Sequence, residues 1–118
     1  VFIAYLFASV SGVSKVGSYD GTGSAFNEDC EGFTAGARFV LIKRIDRTSV
    51  GHWMIYDTKR GINDSGTNSG YDPWIRLNET QQQTEDEDHL DPYTGGFGVG
   101  TNSKVNTSGG KYAYLAIA

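Results

Sequence analysis

The chain has 118 residues, a formal net charge of −4 and a pI near 5.0, with 38% hydrophobic and 20% charged residues. That is the size of one domain. The acidic balance excludes the clustered Lys and Arg that neutralise a phosphate backbone, so neither nucleic acid nor an anionic membrane surface is an expected partner. No apolar run approaches the roughly 18 residues of a membrane-spanning helix, so no membrane insertion is expected.

Sixteen glycines against two prolines, with seven Tyr, six Phe and two Trp, favour many short strands joined by tight turns. Val1–Ala8 (VFIAYLFA) reads as a strand buried on both faces, because nearly every residue is apolar. It has no basic flank and is not read as a signal peptide. Ser9–Ser14 is a small-residue link. Lys15–Tyr19 is a strand stopped by the turn dipeptide Asp20-Gly21. Thr22–Thr34 is glycine-rich and acidic, with one or two weak strands. Arg38–Asp46 is the clearest strand, with Phe39, Leu41 and Lys43 on one face and Val40, Ile42 and Arg44 on the other. Arg47–Gly51 is a loop, and His52–Asp57 completes a hairpin with the strand before it.

Lys59–Gly70 is a polar loop. Trp74–Leu77 is a short strand with Pro73 at its entrance, where a missing N–H is tolerated. Glu79–Asp91 is the one helical candidate, but it lacks an apolar stripe and reads as a solvated loop. Tyr93–Gly100 alternates aromatic or branched residues with glycine. Lys104–Asn106 is a short strand, Ser108-Gly109-Gly110 a turn, and Lys111–Ala118 (KYAYLAIA) the final strand. The expected fold is all-β: an antiparallel, jelly-roll-like β-sandwich of seven to eight strands with little or no helix, a closed barrel being the alternative. Its expected core contains Phe39, Leu41, Trp53, Ile55, Phe97, Tyr112 and Tyr114.

The two ends of the chain resemble each other. Ala4-Tyr5-Leu6 and Ala113-Tyr114-Leu115 sit in similar apolar runs about 110 residues apart. One reading is two buried strands of one sandwich with similar composition. The other divides the chain into a terminal strand at 1–10 that ends a preceding repeat and a repeat domain at 11–118. Because the chain opens in a strand-like run without Met, it is expected to be a fragment of a longer protein.

Candidate sites are few. Cys30 excludes an intrachain disulfide, and its acidic neighbours Glu28, Asp29 and Glu31 point to a raised pKa and an inert thiol. His52 and His89 have no metal-ligand spacing, and no catalytic constellation is visible, so no metal, cofactor or enzymatic activity is expected. Asp57 and Arg60 read as a carboxylate–guanidinium clamp closing a turn, with Gly61 at positive φ. Glu85–Asp88 lacks the spacing and glycine of a calcium loop and reads as solvated. The recognition candidate is Tyr71, Asp72 and Trp74: an exposed aromatic stacks on a sugar ring while a carboxylate binds its hydroxyls. The competing reading makes Trp74 part of the core. Three Asn-x-Ser/Thr sequons, at Asn63, Asn78 and Asn106, are common by chance.

Most of Ser18–Ala118 resembles a repeat of tail-fibre and virion structural proteins from marine (cyanophage-like) and other tailed phages. The resemblance rests on Ser18-Tyr19-Asp20-Gly21-Thr22-Gly23, on Ile42-Lys43 closing a strand, and on the segment Trp53-Met54-Ile55-Tyr56-Asp57-Thr58-Lys59-Arg60-Gly61. It continues through Gly96-Phe97 and Val105-Asn106-Thr107-Ser108-Gly109-Gly110-Lys111-Tyr112-Ala113-Tyr114. It implies a virion location and supplies no ligand or catalytic site. The expected function is therefore a structural and adhesive module of a phage tail fibre or virion appendage. Its partners would be copies of itself, other virion proteins and a cell-surface glycan. The alternative is a carbohydrate-binding module of a secreted or surface bacterial protein.

Overall fold

A computed structural model describes residues 1–47, 51–62 and 70–118. The Asn63 sequon and most of the Lys59–Gly70 loop lie outside the described residues. Among the described residues, eight strands form two antiparallel sheets. The larger has the order β1-β8-β3-β4-β5, with β1 Ser14–Asp20, β8 Lys111–Ile117, β3 Phe39–Arg44, β4 Trp53–Asp57 and β5 Ile75–Arg76. The smaller has the order β2-β7-β6, with β2 Phe26–Asp29, β7 Gly96–Val99 and β6 Leu90–Tyr93.

The sheets face each other across aromatic side chains. Tyr114 on β8 meets Phe97 on β7 edge-on at 5.1 Å, and Tyr19 on β1 meets Phe26 on β2 at 5.4 Å. Tyr19 also stacks on Tyr112 at 5.0 Å within its own sheet. All four residues of β7 are buried, and only glycine lets its neighbours approach so closely. A Cβ at Gly96 would lie 2.1 Å from the Glu28 carbonyl oxygen on β2.

The pleat of the five-stranded sheet buries Val40, Ile42, Met54 and Tyr56 together with Tyr112 and Tyr114. This corrects the expected core at four positions. Phe39, Leu41, Trp53 and Ile55 occupy the opposite face, and Trp53 is 44% exposed. Both parities of β3 and β4 are apolar, so alternation alone does not choose between them. The choice follows from pairing: Ile42 stands opposite both Met54 and Tyr114, and Val40 opposite both Tyr56 and Ala116. The face carrying the β8 tyrosines is the one the second sheet covers. Phe97, Tyr112 and Tyr114 are buried as expected.

Two further expectations are overturned. Residues 1–9 form no strand and are exposed throughout; the first β contact is a bridge between Val10 and Ser14. A strand needs a partner edge, and the free edge of β1 is occupied by the Ser9 hydroxyl, which accepts from Val16 N at 3.0 Å and donates to its carbonyl. Lys104–Asn106 belongs to a single helical turn, α1 Ser103–Asn106, rather than a strand. The Asn102 side chain caps it by accepting from Lys104 N at 2.9 Å. Asn106 then uses its whole amide in the interior: Nδ2 donates to Ser24 O and Gly100 O, while Oδ1 accepts from Thr22 N and Gly23 N. Glu79–Asp91 contains no helix; it bridges Trp74 through Thr84 and enters β6 at Leu90.

Candidate functional site

The sequence-predicted recognition triplet is split by the fold. Tyr71 is exposed, whereas Asp72 is fully buried and Trp74 is 2% exposed. In this arrangement neither face of Trp74 is open to a sugar ring. Its indole lies beneath the guanidinium of Arg76, 4.7 Å away, and the ammonium of Lys104, 5.5 Å away. Asp72 holds the chain leading into β6: its Oδ2 accepts from the N–H groups of His89 and Leu90, each at 2.7 Å. Its own N–H donates to Glu87 O at 2.9 Å.

These contacts reveal a polar chain that the residue pattern did not display. His89 is fully buried between Tyr56 and Trp74, edge-on to both rings at 5.6 Å. Its Nδ1 lies 3.0 Å from the Tyr56 hydroxyl and its Nε2 lies 3.0 Å from Glu87 Oε2. The assignment that satisfies every atom is a neutral imidazole, with Nε2–H donating to Glu87 and Nδ1 accepting from Tyr56. Burial pulls His89 below the ordinary imidazole pKa, against the opposing pull of Glu87. Glu87 is itself held below the usual carboxylate range, first by Lys104, which also forms an ion pair with it. Burial drives the Tyr56 phenol well above its ordinary value.

A Tyr–His–Glu chain is the form of an acid–base relay. Here Tyr56 and His89 are both wholly enclosed. The arrangement acts as a latch that fastens the segment before β6 onto β4. The signal that could have found it is a histidine placed directly before the apolar start of a strand, where burial is the rule for its neighbour Leu90.

Cys30 is buried, and burial, followed by Glu28, pushes its thiol up to about 11. Asp57 and Arg60 form the expected clamp: Arg60 Nη2 lies 2.5 Å from Asp57 Oδ2, and Asp57 Oδ1 accepts from the N–H groups of Lys59 and Arg60. Gly61 follows at φ +127° and donates to Asp57 O.

Two hollows remain. One, of about 320 Å³, is lined by Arg44, His52, Arg76 and Lys104. Arg44, Arg76 and Lys104 already face carboxylates, Asp46 at 2.7 Å, Glu79 at 2.7 Å and Glu87 respectively, and His52 Nδ1 lies 3.0 Å from Glu79 Oε1. The other is an apolar cleft of about 780 Å³ on the outer face of the five-stranded sheet. The register sets one aliphatic side chain from every strand in a single row across that face: Val16, Leu115, Leu41, Ile55 and Ile75. Phe39 and Ile117 pair on one side of the row, and Trp53 stands on the other. Val16, Ile117, Trp53 and Leu77 are all more than a third exposed. The cleft is walled on its open side by Tyr5, Leu6 and Phe7 from the exposed leading segment. Chemically this surface offers dispersion contacts and apolar burial, with the Lys43 ammonium 5.6 Å from the Trp53 ring as its one cationic handle among the described residues.

No curated protein and no solved structure matches the chain. One family model matches residues 1–118 in full. The chain thus belongs to the DUF7483 family, a domain of unknown function.

Proposed function

We propose that this chain is a structural and adhesive module of a phage tail fibre or virion appendage, working beside units of its own kind and not as an enzyme. The observation that carries the reading is the open apolar face of the five-stranded sheet. The row Val16–Leu115–Leu41–Ile55–Ile75 is as apolar as a sandwich core, yet it is bordered by the exposed leading segment Tyr5–Phe7 rather than by a second sheet, and Val16, Ile117, Trp53 and Leu77 stay more than a third exposed. Contiguous exposed apolar surface of this kind marks an interaction site. Obligate interfaces resemble a domain core cut in half and bury upwards of about 2,000 Å².

The phage assignment draws its support from the resemblance over Ser18–Ala118. The residues that carry it work as frame. Tyr19 donates to Val105 O, Asn106 ties three segments together, and Asp57, Arg60 and Gly61 close a turn. Frame residues of this type suit a module whose task is shape, with variable loops left to meet a host surface. Tyr71, before β5, is among the exposed aromatics.

Sedimentation velocity or mass photometry at micromolar concentration tests the reading. The expected result is a defined oligomer that the paired substitutions Val16→Lys and Leu77→Lys convert to folded monomer. A strictly monomeric wild-type protein would overturn the self-associating module and favour the carbohydrate-binding alternative.

A further inference from the structure

We propose that Phe2–Ser9 is the β8 strand of a neighbouring unit of this same fold, inserted between that unit's β1 and β3, so that successive units are joined directly through the Ser9–Ser14 turn. The inference rests on the reading of the chain as a module beside its own kind, and it names the partner and the contact.

The first support is phase. Setting Ala4-Tyr5-Leu6 on Ala113-Tyr114-Leu115, an offset of 109 residues, places Ile3, Tyr5 and Phe7 on Tyr112, Tyr114 and Ala116. Those three β8 residues point into the core and are buried. The same offset places Ala4, Leu6 and Ala8 on Ala113, Leu115 and Ile117, which face outward. The offset is fixed by the three consecutive identities, and the inward and outward assignments follow from it through the period-two pleat. β8 is a central strand, hydrogen-bonded on both edges and apolar on both faces, as β3 and β4 also are, and such a position suits an uninterrupted apolar run.

The second support is the state of the segment. Residues 1–8 are exposed throughout, and among the described residues they form no strand. A run of aromatic and branched residues is poorly suited to water, yet in this chain its natural slot is already filled by β8.

The third support is how the segment leaves the domain. It is held at the β1 edge by the two Ser9–Val16 hydrogen bonds and by Ser14 Oγ, which donates to Ala8 O at 2.8 Å. The turn itself is pinned to the body: Gly12, at φ +72°, donates to Glu31 O at 3.0 Å. Ser9 matches Ala118, the residue after β8, so the end of one unit's strand is clamped to the edge of the next. Such a junction is stiff, which suits an extended appendage.

Four of the seven positions differ, Phe2, Ile3, Phe7 and Ala8 falling on Lys111, Tyr112, Ala116 and Ile117, and the most crowded of these is Phe7. Phe7 falls on Ala116, which is fully buried opposite Val40. A phenyl there needs a smaller neighbour in the other unit.

The test is a strand exchange within the full chain. In one chimera Phe2–Ala8 replaces Lys111–Ile117; in a second, Ala116 is kept within the same replacement. A third chain carries the same seven residues in scrambled order. The second chimera is expected to unfold cooperatively within about 10 °C of the wild type, the first at a lower temperature, and the scrambled chain not to fold. Loss of cooperative unfolding in the second chimera overturns the proposal, and so does equal stability of the scrambled chain. These outcomes are separate from self-association: a folded second chimera with a monomeric wild type removes the assembly reading alone, and a failed chimera with an intact oligomer removes the strand assignment alone.

Discussion

The Tyr56 hydroxyl and His89 Nδ1 meet at 3.0 Å with both side chains fully enclosed, one on a sheet strand and the other at the threshold of the opposing sheet. Tyr56→Phe leaves the imidazole nitrogen without its donor and should cost roughly 1–3 kcal/mol. His89→Ala also removes a packed ring and should cost roughly 2–4 kcal/mol. Urea denaturation measures both. Equal stability of either variant with the wild type would show that the latch carries no weight.

Trp53 and Tyr56 lie on opposite faces of β4, and their substitutions should separate accordingly. Tyr56→Ala removes a buried ring and is expected to cost roughly 3–5 kcal/mol. Trp53→Ala in the isolated domain should cost about 1 kcal/mol, because nearly half of the side chain remains in water. The same Trp53 variant should weaken self-association, so thermal melts and sedimentation of one preparation read both effects.

The pH dependence has two opposing parts. Burial, with Asp91 and Asp72 nearby, raises the Asp88 carboxyl from 3.8 to about 6, and among the described residues its Oδ1 has no hydrogen-bond partner. The folded state therefore binds this proton more tightly than the unfolded state. Its contribution to stability is present below pH 4 or so and is lost as pH rises toward 6. His89 runs the other way: its folded pKa is lowered, so its contribution is present above about pH 6.5 and is lost as pH falls below that. Asp88→Asn removes the first part. It should stabilise the domain at pH 7 by on the order of 1 kcal/mol and leave stability falling steadily from pH 7 to 5. Denaturant midpoints across that range check the slope.

Glycine substitutions should divide by environment. Gly96→Ala drives a methyl into the Glu28 carbonyl and should break the β2–β7 pairing, costing about 3 kcal/mol or more. Gly109 has φ +74° and open space around its Cβ position. Gly109→Ala should therefore cost only the backbone strain, about 1–2 kcal/mol.

Cys30 should be silent toward thiol reagents at pH 8 in the native protein and fully reactive in urea, since its thiol is buried and raised to about 11. Rapid labelling of the native state would place it outside the core.

Much of this molecule is legible in the residues. Glycine and aromatic content set an all-β fold, Ser108-Gly109-Gly110 marks a turn, and the strands within Arg38–Asp46, His52–Asp57 and Lys111–Ala118 lie where short apolar runs place them, whereas β1 ends at Asp20 without the expected turn and Gly21 pairs on with Gly109 and Gly110. The Asp57–Arg60–Gly61 clamp was also readable, because its partners are neighbours in sequence. What the sequence did not contain was a sign saying which parity of β3 and β4 turns inward. FVLIKR and WMIYD are apolar on both faces, and only pairing with β8 beneath the second sheet selects Val40, Ile42, Met54 and Tyr56. The same limit hid the latch. Asp72, His89 and Tyr56 are far apart in the chain, and a histidine in an acidic stretch reads as solvated until tertiary packing closes over it. Local chemistry is written in neighbouring residues; the choice of buried face and the meeting of distant polar groups are decided by strand register, which exists only once the sheets have formed.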